Sequence, residues 1–513
     1  RISKARPKGV CGADRDTIAA RNFLRSVAAG SGCYIHVMEQ AAKELKTAAL
    51  AGRKLKGVDA LHRLCDELGI GEADDSQMAL RLSEAVLEDL RRPYEEPMHL
   101  TEKLAYAKRT GVWKNAGLLP GGAKDEIFNA IVKTSTNLNS DPMDMLTQCL
   151  RLGISTGIYG LVLVNRLNDI LMGEPELGFD PVGMRVIDPE CINIMVTGHQ
   201  HSMFGSLTGM MEHPEIKEMA DRAGARGIRI VGCTCVGQDF QARSRCYEKV
   251  FCGHAGNNYS SEAVLLTGCI DLVVSEFNCS LPGIEPICEE LSIPMLCLDD
   301  VAKKKGARHL PYHPEDREDV SVNVIAAAIA SYVRRSRAGK RQNPMQDHGC
   351  NEAVTGVTER TLKGALGGSF APLIDLIAAG SIKGVAAVVG CSNLRAKGHD
   401  VFTVELVKKL IARDILVVSA GCTCGGLENC GLMSRDAAGL AGPGLSQVCR
   451  SLGIPPVLNF GPCLAIGRIE AVAGELAGAL GVDLPKLPVV VSAPQWLEEQ
   501  ALADGAFALA LGF

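Results

Sequence analysis

The chain has 513 residues and a mass of 54.5 kDa, too much for one ordinary core, and its length suggests three domains. With 47% apolar and 22% charged residues it has the balance of a globular protein, and a net charge of −5 without any Lys/Arg patch interleaved with aromatics excludes a nucleic-acid partner. The longest apolar run, residues 322–333, contains a serine and falls short of the roughly 20 residues that span a bilayer, so no membrane span is expected.

The chain opens RISKARPKGVCG, with no starting Met and no apolar signal core, so a cytoplasmic protein, and a chain cut short at its N-terminus, is expected. Helical patterns come first. AKELKTAALAGRKLKGVDALHRLCDELGI and DSQMALRLSEAVLEDLRR repeat apolar residues at three and four spacing. DPMDMLTQCLRLGI predicts another helix, with Asp141 as N-cap and Pro142 in the first turn. After about residue 180, short β-branched runs alternate with helical stretches, as in α/β domains with parallel sheets. The polar, breaker-rich stretch 334–355, RRSRAGKRQNPMQDHGCNEAVT, marks a boundary. The expected architecture is a helical domain over 1–180, then two Rossmann-like α/β domains over 181–345 and 346–513.

Twenty cysteines in a large chain without a secretion signal point to metal or redox chemistry rather than a disulfide scaffold. About half read as small buried hydrophobes, among them Cys65, Cys149, Cys191, Cys288, Cys350 and Cys449. The others follow a pattern. IRIVGCTC runs to Cys233 and Cys235, CIDLVVSEFNC to Cys279, GVAAVVGC to Cys391, ILVVSAGCTC to Cys422 and Cys424, and PPVLNFGPC to Cys463. Five strand-like runs thus end at thiols, and ligands of open α/β sheets bind at the carboxyl ends of strands. Thiols far apart in sequence but converging in space suit iron–sulfur clusters. The paired spacing of compact zinc sites is absent as a matched set. In each C-x-C pair one thiol is a candidate spare. A strand that merely ends in a small buried residue explains one such site; five favour convergence.

In chain order, GVCGADRDTIAARNFLRSVAAG, SDPMDMLTQCLRLGISTG, NIMVTGH, CTCVGQDF, EFNCSLP, VVGCSNLR, SAGCTCGG, NFGPC and SAPQW make the chain resemble the anaerobic nickel–iron carbon monoxide dehydrogenase family, with a more distant likeness to hybrid-cluster proteins. The resemblance covers nearly the whole chain. It implies a helical domain followed by two α/β domains, with the active-site cluster between domains. It implies that His199, Cys235, Cys279, Cys391, Cys422 and Cys463 ligate a nickel–iron–sulfur cluster, and that Cys11 is the last ligand of an electron-transfer [4Fe–4S] cluster whose other ligands lie upstream in the family. It further implies a homodimer, a small gaseous substrate and a ferredoxin-like electron carrier.

The sequence departs from that family at several places. Gln500 stands where the family has a Lys that assists substrate binding, and Tyr34 where the family's series of His after AAG has its first, one of that series being used in proton transfer. His36 is the nearby histidine, out of phase with the family's series, and an acidic residue expected around Thr156 is missing. VTGH at 196–199 and Glu498, two residues before Gln500, are closer to hybrid-cluster proteins, where a Glu ligates. Glu498, Gln500 and His36 are therefore the candidate catalytic residues. Three readings follow. One is CO/CO2 interconversion with electrons leaving through [4Fe–4S] clusters. The second is a nickel-free Fe–S–O cluster that reduces a small inorganic nitrogen or oxygen compound such as hydroxylamine. The third is a non-catalytic redox sensor served by Cys233, Cys246, Cys252, Cys424 and Cys430.

Overall fold

The computed structural model describes residues 3, 6–71, 74–136, 138–339, 342–344 and 352–513. Helix α1 (Arg15–Leu50) is capped by Asp14, whose carboxylate accepts from the Thr17 N–H at 2.8 Å. Leu24, Val27, Tyr34, Met38 and Leu45 recur at helical spacing and are fully buried. The expected run of helix from Ala42 to Ile70 is broken. α1 stops at Leu50, residues 51–57 form a loop, and α2 (Val58–Leu68) starts afresh. The apolar period continues across that loop, but Gly52 takes a positive φ of 59° and the Gly57 N–H is drawn to the Ile170 carbonyl at 3.0 Å. α3 (Asp75–Asp89) completes this layer.

α4 (Pro142–Ser155) begins as expected, with Asp141 accepting from Met143 N–H at 2.8 Å and proline in the first turn. It runs through a π-helical stretch, Thr156–Leu163, into α5 (Val164–Met172). Pro142–Met172 thus forms 31 helical residues, long and apolar enough by composition to cross a bilayer. Of its most apolar window, 78% is buried inside the protein, so it is the core helix of this region. Residues 322–333 belong to a helix on the first sheet, noted below.

β1 (Gly178–Pro181) leads into the first sheet: β2 (Ile192–Thr197), β3 (Ile228–Cys233), β4 (Phe251–Gly256), β5 (Leu272–Ser275), β6 (Met295–Cys297) and β7 (Arg308–His309). Their order is β4-β3-β2-β5-β6-β7, all parallel. Every residue of β2 is buried, as a central strand covered on both faces requires. α6 (Thr234–Ala242) follows β3, and α7 (Arg317–Arg337) packs across β2 and β5. β8 (Glu352–Thr355) pairs antiparallel with β1, Gly178 opposite Thr355. The second sheet comprises β9 (Gly384–Val389), β10 (Ile415–Ala420), β11 (Val457–Asn459) and β12 (Val489–Ser492), parallel in the order β11-β10-β9-β12. α8 (Cys422–Asn429), α9 (Ile466–Leu480) and α10 (Gln500–Leu511) follow in turn.

The expected boundary at 180/181 cuts through β1, and the one at 345/346 lies outside the described residues. The last helix does not stay with the second sheet. α10 packs into the helical region against α1 and α4, and the Trp113 indole donates to the Ala510 carbonyl at 2.8 Å. Gly30 makes this approach possible: a Cβ there would overlap the Glu499 carbonyl. α1 is thereby held directly against the backbone that carries Glu498 and Gln500.

Candidate metal centre

Six donors come together where the strands of both sheets end. His199 lies two residues past β2, Cys235 two past β3 and Cys279 four past β5. Cys391 lies two residues past β9, Cys422 two past β10 and Cys463 four past β11. All six are buried. The donor atoms of His199, Cys235 and Cys463 lie within 4.8 Å of one another, although they come from different sheets. The Cys463 N–H donates to the Cys235 sulfur at 3.4 Å. The Cys235 thiol also interacts with those of Cys279 and Cys422, and Cys391 feels the charges of Cys422 and Cys463.

The loops are pinned one to another. Gln238 on α6 donates to the Gly421 carbonyl at 2.6 Å, tying the Cys235 turn to the Cys422 turn. The Thr423 hydroxyl and N–H both reach the Gly390 carbonyl at 3.0 Å, tying in the Cys391 turn. The Lys304 ammonium bonds the carbonyls of Phe277 and Ser280 at 3.1 and 3.2 Å and so clamps the loop that carries Cys279. Two residues here hold strained backbone: Thr234 at φ 55° and Cys279 at φ 54°. Positive φ is a true outlier for a β-branched residue and gathers at functional sites. At Gly421, φ is 88° and a Cβ would stand 2.5 Å from the Cys463 sulfur, so the turn needs glycine.

The electrostatics suit metal ligation. Burial pushes the His199 imidazole down to about 3, which keeps it neutral, the form that binds metal. Its Nδ1 is buried with no hydrogen-bond partner among the described residues. Such an orphan costs about 1–3 kcal/mol unless something fills the place. Burial raises the thiols of Cys235 and Cys391, and at Cys463 the Cys235 thiol and burial raise it together. At Cys279 the hydrogen bond with Cys235 pulls down, but burial and the Glu498 charge outweigh it. A bound cation reverses that cost by taking thiolates as ligands. Five soft donors and one neutral imidazole, dry and mutually repelling as anions, fit an iron–sulfur centre with a thiophilic metal. The five thiols carry no disulfide.

Of the C-x-C pairs, Cys233 ends β3 inside the core and Cys424 is fully buried beside Ser419, so Cys235 and Cys422 are the members that face the centre. Cys65, Cys149, Cys191, Cys288 and Cys449 are buried as expected, and Cys350 lies outside the described residues. Cys252 is buried, Cys246 is half-buried and Cys430 exposed. Cys11 sits on an exposed turn before α1, beside Ala13 and Arg21.

Glu498 precedes α10, and its carboxyl meets the Cys279 sulfur at 3.5 Å. Gln500 is buried with its Nε2 unpartnered among the described residues. His36 does not touch the donors. It bonds Asp299 at 3.0 Å and Gln200 at 3.1 Å, with its ring edge against Phe277. Tyr34 faces the centre instead, its ring 6.3 Å from that of His199, and its hydroxyl donates to Asp504 at 3.1 Å. Burial lifts Asp504 to about 8. Thr156 donates to Ser31 at 2.8 Å, both buried, so a neutral hydroxyl pair fills the place of the expected acid. Sequence reasoning missed Glu276, which is fully buried and accepts from the N–H groups of His199 and Phe277, the latter at 2.9 Å. Its signal was a charge directly after the apolar run of β5.

A dry, thiol-rich centre at the carboxyl edges of two parallel sheets defines an iron–sulfur oxidoreductase. The profile of the Prismane/CO dehydrogenase family matches residues 1–513, and the chain belongs to that family. It is 45% identical to a carbon monoxide dehydrogenase of Methanocaldococcus jannaschii over 516 residues, covering 100% of this chain and 82% of that one. Among solved structures, an as-isolated Ni-free carbon monoxide dehydrogenase from Thermococcus sp. AM4 is 32% identical with a TM-score of 0.92, covering 100% of this chain and 80% of that one. Carbon Monoxide Dehydrogenase IV from Carboxydothermus hydrogenoformans is 30% identical with a TM-score of 0.92, covering 100% and 82%.

Proposed function

We propose that the chain interconverts CO and CO2 at a nickel–iron–sulfur cluster held by His199, Cys235, Cys279, Cys391, Cys422 and Cys463. The observation that carries this reading is the convergence of three donors from each sheet on one buried place. When bound, such a cluster supplies a Lewis acid for the carbon substrate and a sink for its electrons. The protein residues do the rest. Glu276 fixes the His199 backbone, and Lys304 fixes the Cys279 loop. The unpartnered Gln500 amide offers a donor to a substrate oxygen where a Lys would offer a cation. Tyr34 and Asp504 hold a proton beside the donors. An apolar cavity of about 470 Å³, lined by Val389, Gly390, Ala501, Asp504 and Phe507, leads up to the Cys391 turn and suits a small uncharged gas.

The same proposal takes units 1–180, 181–345 and 346–513, a cytoplasmic homodimer, and electrons leaving by way of Cys11 to [4Fe–4S] clusters and a ferredoxin-like carrier. The test is the nickel-to-iron ratio of anaerobically purified protein, read with CO-dependent reduction of a viologen dye. About one nickel per active-site cluster with CO turnover supports the reading, and Gln500→Lys is then expected to raise the rate. Glu498 at 3.5 Å from Cys279 is an oxygen donor in reach of the centre and favours the nickel-free Fe–S–O cluster as second reading. Iron without nickel after growth in excess nickel, with hydroxylamine reduced and CO inert, selects it.

A further inference from the structure

Outside the thiol centre a second group of ligating side chains meets at the carboxyl edge of the first sheet. His36 comes from α1, while Asp299 and Asp300 follow β6. The His36 Nε2 lies 3.0 Å from Asp299 Oδ2 and 3.9 Å from Asp300 Oδ1, and the three donor atoms lie within 4.8 Å of one another. Gln200 brings its amide to the same spot, 2.6 Å from Asp299 Oδ2 and 3.1 Å from His36 Nε2.

Asp299 Oδ2 accepts the Gln200 amide N–H and lies in hydrogen-bond reach of the His36 ring nitrogen. The same donor atoms are spaced to hold a cation in place of a ring proton. An ion with ligands at about 2.1 Å sets neighbouring octahedral donors about 3.0 Å apart and opposite ones about 4.2 Å apart. The two His36 distances fall within that span. Asp299 is also built as a ligand. Its side chain is fully buried, and its Oδ1 accepts from the N–H groups of Val301 and Ala302 at 2.8 and 2.6 Å, which aims Oδ2 at His36. Flipping the Gln200 amide presents Oε1 as a fourth donor, since the two orientations differ only in which atoms are bonded.

We propose that His36, Asp299 and Asp300, backed by Gln200, bind a divalent first-row transition ion at the rim of the sheet. One nitrogen and two or three oxygens make a harder donor set than the thiol centre, so the two sites select different ions. The partly exposed Asp300 keeps the site open to solvent, and the ion exchanges.

The test uses Zn2+ as probe on anaerobically purified protein with its clusters in place. Equilibrium dialysis with elemental analysis counts the metal, and zinc-edge X-ray absorption reads its ligands. The expected result is about one added zinc per chain, with nitrogen and oxygen at about 2.0–2.1 Å, an imidazole signature and no sulfur shell near 2.3 Å. Asp300→Asn weakens binding at least about tenfold at unchanged iron content, and His36→Gln abolishes it. No added zinc, a sulfur shell, or parental binding in Asp300→Asn overturns the proposal. Should His36→Gln lose its iron, the exposed Asp300→Asn variant decides.

Discussion

The two parallel sheets perform the same task with different backbones. Each gives three donors from three adjacent strands, β3-β2-β5 in the first and β11-β10-β9 in the second. In chain order, the donors stand two, two and four residues past their strands in both sheets. The strand order differs: the earliest donor strand, β2, is central in the first sheet, whereas β10, the second, is central in the other. The turns differ as well. Before Cys391 and Cys422 the second sheet uses Gly390 and Gly421 at φ 104° and 88°. The first sheet also has Gly198 at φ 147° before His199, but it puts Thr234 and Cys279 themselves at positive φ. Glycine takes that conformation freely, whereas other residues cost of order 1–3 kcal/mol. The first half of the centre therefore relies on glycine at one turn and on strained backbone, Glu276 and Lys304 at the others, the second on glycine throughout its positive-φ turns.

The largest effect tests whether both halves are needed. Cys235→Ser and Cys422→Ser, one from each sheet, are each expected to lower activity at least about a hundredfold, with active-site metal lost by elemental analysis. Metal loss from one variant alone would break the symmetry.

The next effect belongs to the second half. In the first sheet the buried Asp271 is paired with Arg335 at 2.8 Å. On α9, burial alone lifts Glu470 to about 7. A raised acid favours folding while it keeps its proton, so this contribution is full below the unfolded value of about 4.5 and is lost as pH rises through about 7. Glu470→Gln is expected to be more stable than the parent above pH 7, by up to about 3 kcal/mol, with the gain gone near pH 4.5. Denaturant melts across that range measure it. A gain that persists at low pH would make packing, not charge, the cause.

Smaller effects probe the turns. Gly421→Ala is expected to destabilise by about 2 kcal/mol or more, through positive φ and the nearby Cys463 sulfur. Thr234→Gly trades strain for the lost bond from the Gly198 N–H to the Thr234 hydroxyl (3.0 Å) and is expected to stay within about 1 kcal/mol of the parent. Comparable losses in both would remove the contrast.

Much of this was legible in the sequence, for physical reasons. Buried parallel strands read as unbroken apolar runs, so the places where the runs stopped marked the donor turns for all five thiols. His199 was found by resemblance alone, since one histidine after one strand says little. Harder to read was what depends on tertiary company. The return of α10 to the helical region needs Gly30 and the distant Trp113. The 51–57 loop hides inside a continuous apolar period. The burial of Pro142–Met172 could not be told from a span by composition. The turn of His36 toward Asp299, with Tyr34 facing the centre, is a matter of helix phase and neighbours from the other end of the chain.

The three-and-three division has a consequence for how the protein is born. Ribosomes add about 5–20 residues per second, so His199, Cys235 and Cys279 emerge tens of seconds before Cys463. Through that interval the nascent chain carries three soft donors with nothing to complete them. The full set of donors then exists only after Cys463 has emerged, and the strained turns around Thr234 and Cys279 acquire their purpose only when the second sheet docks.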